Sequence, residues 1–148
     1  MAEAGGGERF AMVVARFYAE IADRLVAGAR EAFAEHGADV EVHEVPGAFE
    51  LPLAALLCAD SGRYAGVAAL GCVVRGETDH YEYVCAEAAR GVASVGLETR
   101  VACAFGVLTV ETREQALERS GGGKRHAGRE AAEAVVRMAE LRRALARR

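Results

Sequence analysis

An apolar run, Val67-Ala68-Ala69-Leu70, leads into Gly71-Cys72-Val73-Val74-Arg75-Gly76-Glu77-Thr78-Asp79-His80, and a helical pattern follows at once. The run is short and β-compatible and lacks polar alternation, as a strand covered on both faces does. Beyond it, Tyr81, Val84, Cys85, Ala88, Val92 and Val95 fall on one stripe at spacings of three and four. A strand buried on both faces needs layers on both sides, which points to a helix-covered sheet. The turn between strand and helix holds Gly76, with Thr78 or Asp79 placed to cap the new helix. Such a turn aims several free backbone N–H groups at one spot, and that spot suits a phosphate or another anion. His80, in the first helical turn, exchanges a proton near neutral pH and stands beside it.

The rest of the chain repeats the strand-then-helix unit. After a glycine-rich stretch, residues 1–8, read as a flexible leader, residues 9–148 form a single domain. Residues 10–15 are a buried strand, and a helix with Ile21, Leu25, Ala29, Ala32 and Phe33 inward ends at His36-Gly37. Residues 39–45 alternate like a strand with one face less buried. Pro46-Gly47 breaks it, and a helix opens at Ala48 and runs to about residue 59, with Pro52 in its first turn. Residues 65–72 and 101–108 are the third and fourth strands, and residues 79–98 the helix between them. Thr112 and Gln115 have capping-box spacing for a helix through Arg119. A Ser-Gly-Gly-Gly loop follows, then a final helix with Ala131, Val135, Met138, Leu141 and Leu145 inward. Alternating strands and helices give a four-stranded parallel sheet covered on both faces. Ligands of such sheets bind beyond the carboxyl ends of the strands, so Phe17, Ala48 to Glu50, Cys72 to His80 and Phe105 onward converge on one rim.

Composition removes several classes. A net charge of −4 argues against general nucleic-acid binding, and the Arg-rich end reads as a solvated helix terminus. No apolar run approaches a membrane span, and no signal layout opens the chain, so a cytoplasmic location is the expectation. Cys58, Cys72, Cys85 and Cys103 have neither zinc nor disulfide spacing and read as small reduced core residues. Gly121 to Gly123 before Lys124 lack the first glycine and the closing Ser or Thr of a phosphate loop. No Gly-x-Ser-x-Gly elbow exists either. Taken singly, Phe17 is a core ring or a stacking platform, and Glu50 a surface carboxylate or a ligand contact. Arg75 is either paired to a carboxylate or part of a site. His36, His43 and His126 read as surface residues.

Five blocks together resemble the lumazine synthase family of riboflavin biosynthesis. They are Ala15-Arg16-Phe17, residues 45–52, residues 71–84, Phe105-Gly106-Val107-Leu108-Thr109 and residues 114–119. The Arg75-Gly76-x-Thr78-x-His80 core is the most specific. The resemblance implies a flavodoxin-like three-layer αβα sandwich that assembles as homopentamers, in some members as shells of pentamers. It implies condensation of 5-amino-6-ribitylaminouracil with 3,4-dihydroxy-2-butanone 4-phosphate, without metal or redox cofactor, and riboflavin synthase as a candidate partner. By position, Phe17 stacks on the pyrimidine, Ala48, Phe49 and Glu50 hold the ribityl chain, and Cys72, Val73 and Val74 line the pocket. Glu77 and Thr78 cradle phosphate, His80 transfers protons, Phe105 is a pocket wall, and Arg119 is a phosphate-binding cation from the adjacent subunit. Tyr18 stands where the family commonly has Asn, and Arg125-His126-Ala127-Gly128 where it commonly has Gly-Asn-Lys-Gly. The readings held against the enzyme are a non-catalytic shell-forming or flavin-binding paralogue, and the archaeal-type riboflavin synthase of the same fold.

Overall fold

The computed structural model describes residues 8–147. Four strands, β1 (Arg9–Ala15), β2 (Asp39–Val45), β3 (Gly66–Val74) and β4 (Ala102–Val110), form one parallel sheet in the order β2-β1-β3-β4. Helices α1 (Ala19–Glu35) and α5 (Ala127–Ala146) cover one face, and α2 (Leu51–Asp60) and α3 (His80–Thr99) the other. A short α4 (Arg113–Glu118) follows β4. The chain is therefore the expected three-layer α/β sandwich. Chain direction across the sheet reverses between β1 and β3, which opens a crevice at their carboxyl ends.

Residues 11–14 of β1 and 67–70 of β3 are fully or almost fully buried, because both are inner strands with helices above and below. Even-numbered β1 side chains enter the α1/α5 core with Leu25 and Phe33, and odd-numbered ones the α2/α3 core with Leu51 and Val92. Each buried Leu or Phe contributes about 1.5–3 kcal/mol. Glycine sets the closest helix contacts. A Cβ on Gly128 would lie 2.1 Å from the Leu25 carbonyl oxygen, so α5 rests on the α1 backbone. A Cβ on Gly91 would lie 2.5 Å from Pro52 Cγ, so α3 rests on the start of α2.

Several local expectations change. The leader lies outside the described residues except for Glu8, whose carbonyl accepts the Asp39 N–H at 3.1 Å and whose carboxylate pairs with Arg143. Residues 48–50 form a separate 3-10 turn, Ala48–Glu50, before α2, because Pro52 has no N–H and starts the α-helix afresh. β3 and β4 each begin one residue later and end two residues later than the apolar pattern implied. In α5 the buried stripe is Ala131, Ala132, Val135, Val136 and Ala139, while Met138, Leu141 and Leu145 are exposed. Small residues let α5 approach the sheet and α1, and the large ones sit on the adjoining face, away from that contact. No described helix is long and apolar enough to cross a membrane.

Candidate active site

The crevice at the carboxyl ends of β1 and β3 is a cleft of about 670 Å³. Phe17 and Tyr18 enter it from the β1–α1 turn, Gly47 to Glu50 from the turn after β2, and Cys72 to Val74 from the end of β3. Gly76, Thr78, His80, Tyr81, Tyr83 and Val84 complete the lining from the loop after β3 and the first turns of α3. Sequence reading did not assign Tyr18, Gly47, Tyr81, Tyr83 or Val84 to the site, whereas Gly76 falls within the rim segment it did assign. Tyr81 and Val84 were placed on the helix's inward stripe, and they do lie on it. The stripe is fully buried only from Ala88 onward, with Val84 partly buried against the same core and Tyr81 half-buried at the cleft.

Phe17 is 75% exposed, and the edge of Tyr18 meets its ring at 4.9 Å between centroids and 83° between planes. A flat ring offered to solvent this way is a stacking surface rather than a core residue. Glu50 folds back on its own turn, Oε1 accepting the Gly47 N–H at 2.9 Å. Its Oε1 therefore fixes the 3-10 turn while the residue lines the cleft, and Oε2 has no hydrogen bond among the described residues.

Arg75 resolves as a structural cation. It pairs with Glu82 at 2.9 Å and Glu111 at 3.0 Å, and its guanidinium lies 4.4 Å from the Tyr81 ring centroid. The hydrogen bonds to Glu111 and Glu82 raise its pKa further, so it stays charged at every working pH. These contacts tie the start of α3 to the end of β4. Between Arg75 and the helix, the N–H groups of Gly76, Glu77, Thr78 and Asp79 have no acceptor among the described residues. Thr78 Oγ1 accepts the His80 N–H at 3.3 Å, whereas Asp79 occupies the N-cap position without a side-chain hydrogen bond. Four free donors at a helix start, with the imidazole of His80 on the rim, make a site for an anion beside a proton carrier.

Three residues assigned from the resemblance are not in this cleft. Glu77 is exposed and is not among the residues that line it. Phe105, 40% exposed, lies on β4, the outer strand of the sheet, opposite Ala69 of β3. Arg119 caps the far end of α4, its Nη1 donating to the Gln115 carbonyl at 3.2 Å and to Glu118 at 3.3 Å. The cysteines are free, and burial pushes the Cys72 thiol up to about 11, so it lines the cleft as a neutral wall. No group of three metal-ligating side chains exists among the described residues. His36, His43 and His126, read as surface residues, are half-buried and bonded, to Glu133, to Tyr64 and to the Arg129 N–H respectively.

The cleft's residues come from four separate blocks, and whole-chain comparison spans all of them. The model of the 6,7-dimethyl-8-ribityllumazine synthase family matches residues 7–143. A protein of Salinibacter ruber named 6,7-dimethyl-8-ribityllumazine synthase is 46% identical over 138 residues, covering 91% of this chain and 88% of that protein. With the match running through every strand and every block that lines the cleft, the chain belongs to the 6,7-dimethyl-8-ribityllumazine synthase family.

Proposed function

We propose that the cleft condenses 5-amino-6-(D-ribitylamino)uracil with 3,4-dihydroxy-2-butanone 4-phosphate, giving 6,7-dimethyl-8-ribityllumazine, phosphate and water in riboflavin biosynthesis. The observation that carries this reading is one cleft lined both by an exposed ring and by a loop with unpaired N–H donors beside His80. Phe17 stacks on the pyrimidine, and the segment Ala48, Phe49 and Glu50 receives the ribityl chain, whose hydroxyls the free edge of Glu50 accepts. Cys72, Val73 and Val74 form the neutral wall between the two ends. The phosphate sits on the N–H groups of residues 76–79 with the Thr78 hydroxyl beside it. Glu77 contributes its N–H and not its carboxylate, which would repel the anion.

The 5-amino group attacks the ketone and the adduct loses water to give an imine. Phosphate is then eliminated, and the ribitylamino nitrogen adds to the remaining carbonyl and a second water leaves as the ring closes. Each step moves a proton, and His80 is placed to carry it, for roughly 10²–10⁴-fold in rate. The leaving phosphate calls for a full cation, and this chain's cleft holds none among its lining residues. Arg119 of an adjacent copy fills that role, and Phe105 of an adjacent copy closes the wall, since neither reaches its own chain's cleft. A homopentamer, alone or within a larger shell, supplies that neighbour; a cytoplasmic location and riboflavin synthase as the consumer of the product belong to the same proposal.

Purified protein given both substrates, with neither metal nor nucleotide added, should release phosphate while lumazine absorbance rises. His80→Ala should lower turnover by roughly 10²-fold, the low end of the proton-transfer range, because the reactants condense slowly unaided. Wild-type turnover no faster than the uncatalysed reaction would favour the flavin-binding paralogue instead.

A further inference from the structure

Arg119 is fixed by its main chain before its guanidinium meets any ligand. Its N–H donates to the Gln115 and Ala116 carbonyls at 3.2 Å, and its own carbonyl accepts the Ala127 N–H at 2.9 Å. The next residue, Ser120, is 2% exposed and is the buried polar side chain of the described core. Its hydroxyl donates to the Ala116 carbonyl at 2.8 Å and accepts Arg24 Nε at 3.1 Å. Arg24 Nη2 also donates to the Leu117 carbonyl at 3.3 Å. One guanidinium from the middle of α1 thus holds the last turn of α4 and the residue after Arg119.

Two physical reasons make this contact matter. The six-residue α4 is too short to persist on its own hydrogen bonds. A cation at its carboxyl end offsets the exposed carbonyls and the dipole there. One turn further along α1, Gly28 receives the His126 ring, which would lie within 2.2 Å of any Cβ at that position. The loop is thereby clamped to α1 at both ends, by Arg24 near Ser120 and by Gly28 under His126. Neither Arg24 nor Ser120 lines the cleft of its own chain.

We propose that Arg24 is a positioning residue for Arg119: it pins the end of α4 to α1, and so aims the Arg119 guanidinium at the phosphate site of the neighbouring subunit. The inference rests on the proposed reading of Arg119. It extends that reading to a residue on a different helix, about 95 positions earlier in the chain. Without Arg24 the buried Ser120 hydroxyl loses a donor, and the Leu117 carbonyl at the α4 terminus loses its guanidinium partner, leaving Arg119 as the cation there. The segment then relaxes, and Arg119 drifts from its target. Misplacing a binding group by about 1 Å is enough for losses of one to two orders of magnitude.

The experiment uses full-length variants and inorganic phosphate as the probe. Arg24→Ala should weaken inhibition by phosphate and raise KM for the phosphate substrate by about tenfold, with KM for the pyrimidine unchanged. Arg24→Lys, which keeps the charge and one donor, should recover part of the loss. The discriminating measurement is complementation between variants refolded together. Arg24→Ala with His80→Ala should regain activity, because about one site in four joins an intact His80 to a neighbour with an intact Arg24. Arg24→Ala with Arg119→Ala should regain none, because every Arg119 loop in the mixture is then defective. Recovery in that second mixture, or unchanged phosphate inhibition in Arg24→Ala, overturns the assignment. Should Arg24→Ala fail to fold, Arg24→Gln carries the same two mixtures. If Arg119→Ala with His80→Ala stays inactive despite subunit exchange, the neighbour-site reading of Arg119 itself falls and takes the Arg24 role with it.

Discussion

Glu50 shows how one side chain divides between fold and chemistry. Its Oε1 accepts the Gly47 N–H and holds the 3-10 turn that carries Ala48 and Phe49 into the cleft. Glu50→Ala therefore removes two things at once, the turn's acceptor and the carboxylate proposed to meet ribityl hydroxyls. Glu50→Gln separates them, since an amide oxygen still accepts from Gly47. Glu50→Ala should weaken pyrimidine binding by about 1.5–3 kcal/mol, the worth of hydrogen bonds to a charged group. Glu50→Gln should cost roughly half as much, and neither variant should change KM for the phosphate substrate. Isothermal titration of the pyrimidine against all three proteins checks this. Equal losses for both variants would place the effect on the charge alone and leave the turn out of it. At this scale the sequence was only half legible. Phe17 could be a core ring or a platform until its exposure was known, and Arg75 could serve site or scaffold until Glu82, Glu111 and Tyr81 were found around it.

Between elements, His126 carries the pH dependence. Its ring lies over Gly28 and close to Gly121, and its Nδ1 accepts the Arg129 N–H at the start of α5. Burial, then the Arg129 and Arg24 guanidinium groups, lower its pKa against the opposing pull of Glu31 and Glu130. Protonation also destroys the acceptor that caps α5. Between the depressed folded value and the ordinary value of about 6.5, the unfolded chain binds the extra proton, so stability rises with pH across that window and falls as pH drops through it. Thermal unfolding at pH 5 and pH 7 should show a larger acid loss for wild type than for His126→Asn, which keeps a capping oxygen but does not titrate. Identical acid losses would move the dependence elsewhere. Elements were where the sequence spoke most clearly. Gly37 at positive φ ends α1, Pro52 starts α2, and Thr112 Oγ1 accepts the Gln115 N–H at 3.1 Å to start α4. The capping box was incomplete in one respect: Gln115 Oε1 reaches the Glu111 N–H, one residue before the cap. The inward face of α5 was misread because size and burial part company there. Alanines make the close contacts, and the large apolar residues that dominate a periodic pattern are left outside. His126 was hidden for a related reason, as its pocket exists only because a glycine 98 residues earlier lacks a side chain.

For the whole molecule, the open question of the site becomes one of assembly. The cleft's aromatic rim is left bare by a single chain, with Phe17, Phe49 and Tyr83 all largely exposed. From Tyr83 the outer face of α3 continues through Ala86, Arg90, Ala93 and Leu97, all exposed and spaced by three, four, three and four. Ala86 and Ala93 between Tyr83 and Leu97, with Arg90 at the centre, form a face that a second helix can approach closely. Because this stripe begins at the cleft, a copy docked along it would stand next to the residues to which the proposal brings a neighbour's Arg119 and Phe105. Wild type should therefore run in light scattering as five copies of the 15.6 kDa chain, about 78 kDa, or as a multiple of that mass. Leu97 is 82% exposed, so Leu97→Asp removes no core contact of the chain and should leave its far-UV circular dichroism unchanged. Placed in a ring it would bury one uncompensated carboxylate at every contact, which costs several kcal/mol per subunit and should shift the mass toward the monomer. Turnover should fall with the mass, since the phosphate site loses its cation when the neighbour leaves. A Leu97→Asp protein that stays assembled would clear the α3 face of this role, and a wild-type monomer with full turnover would remove the need for any neighbour at all.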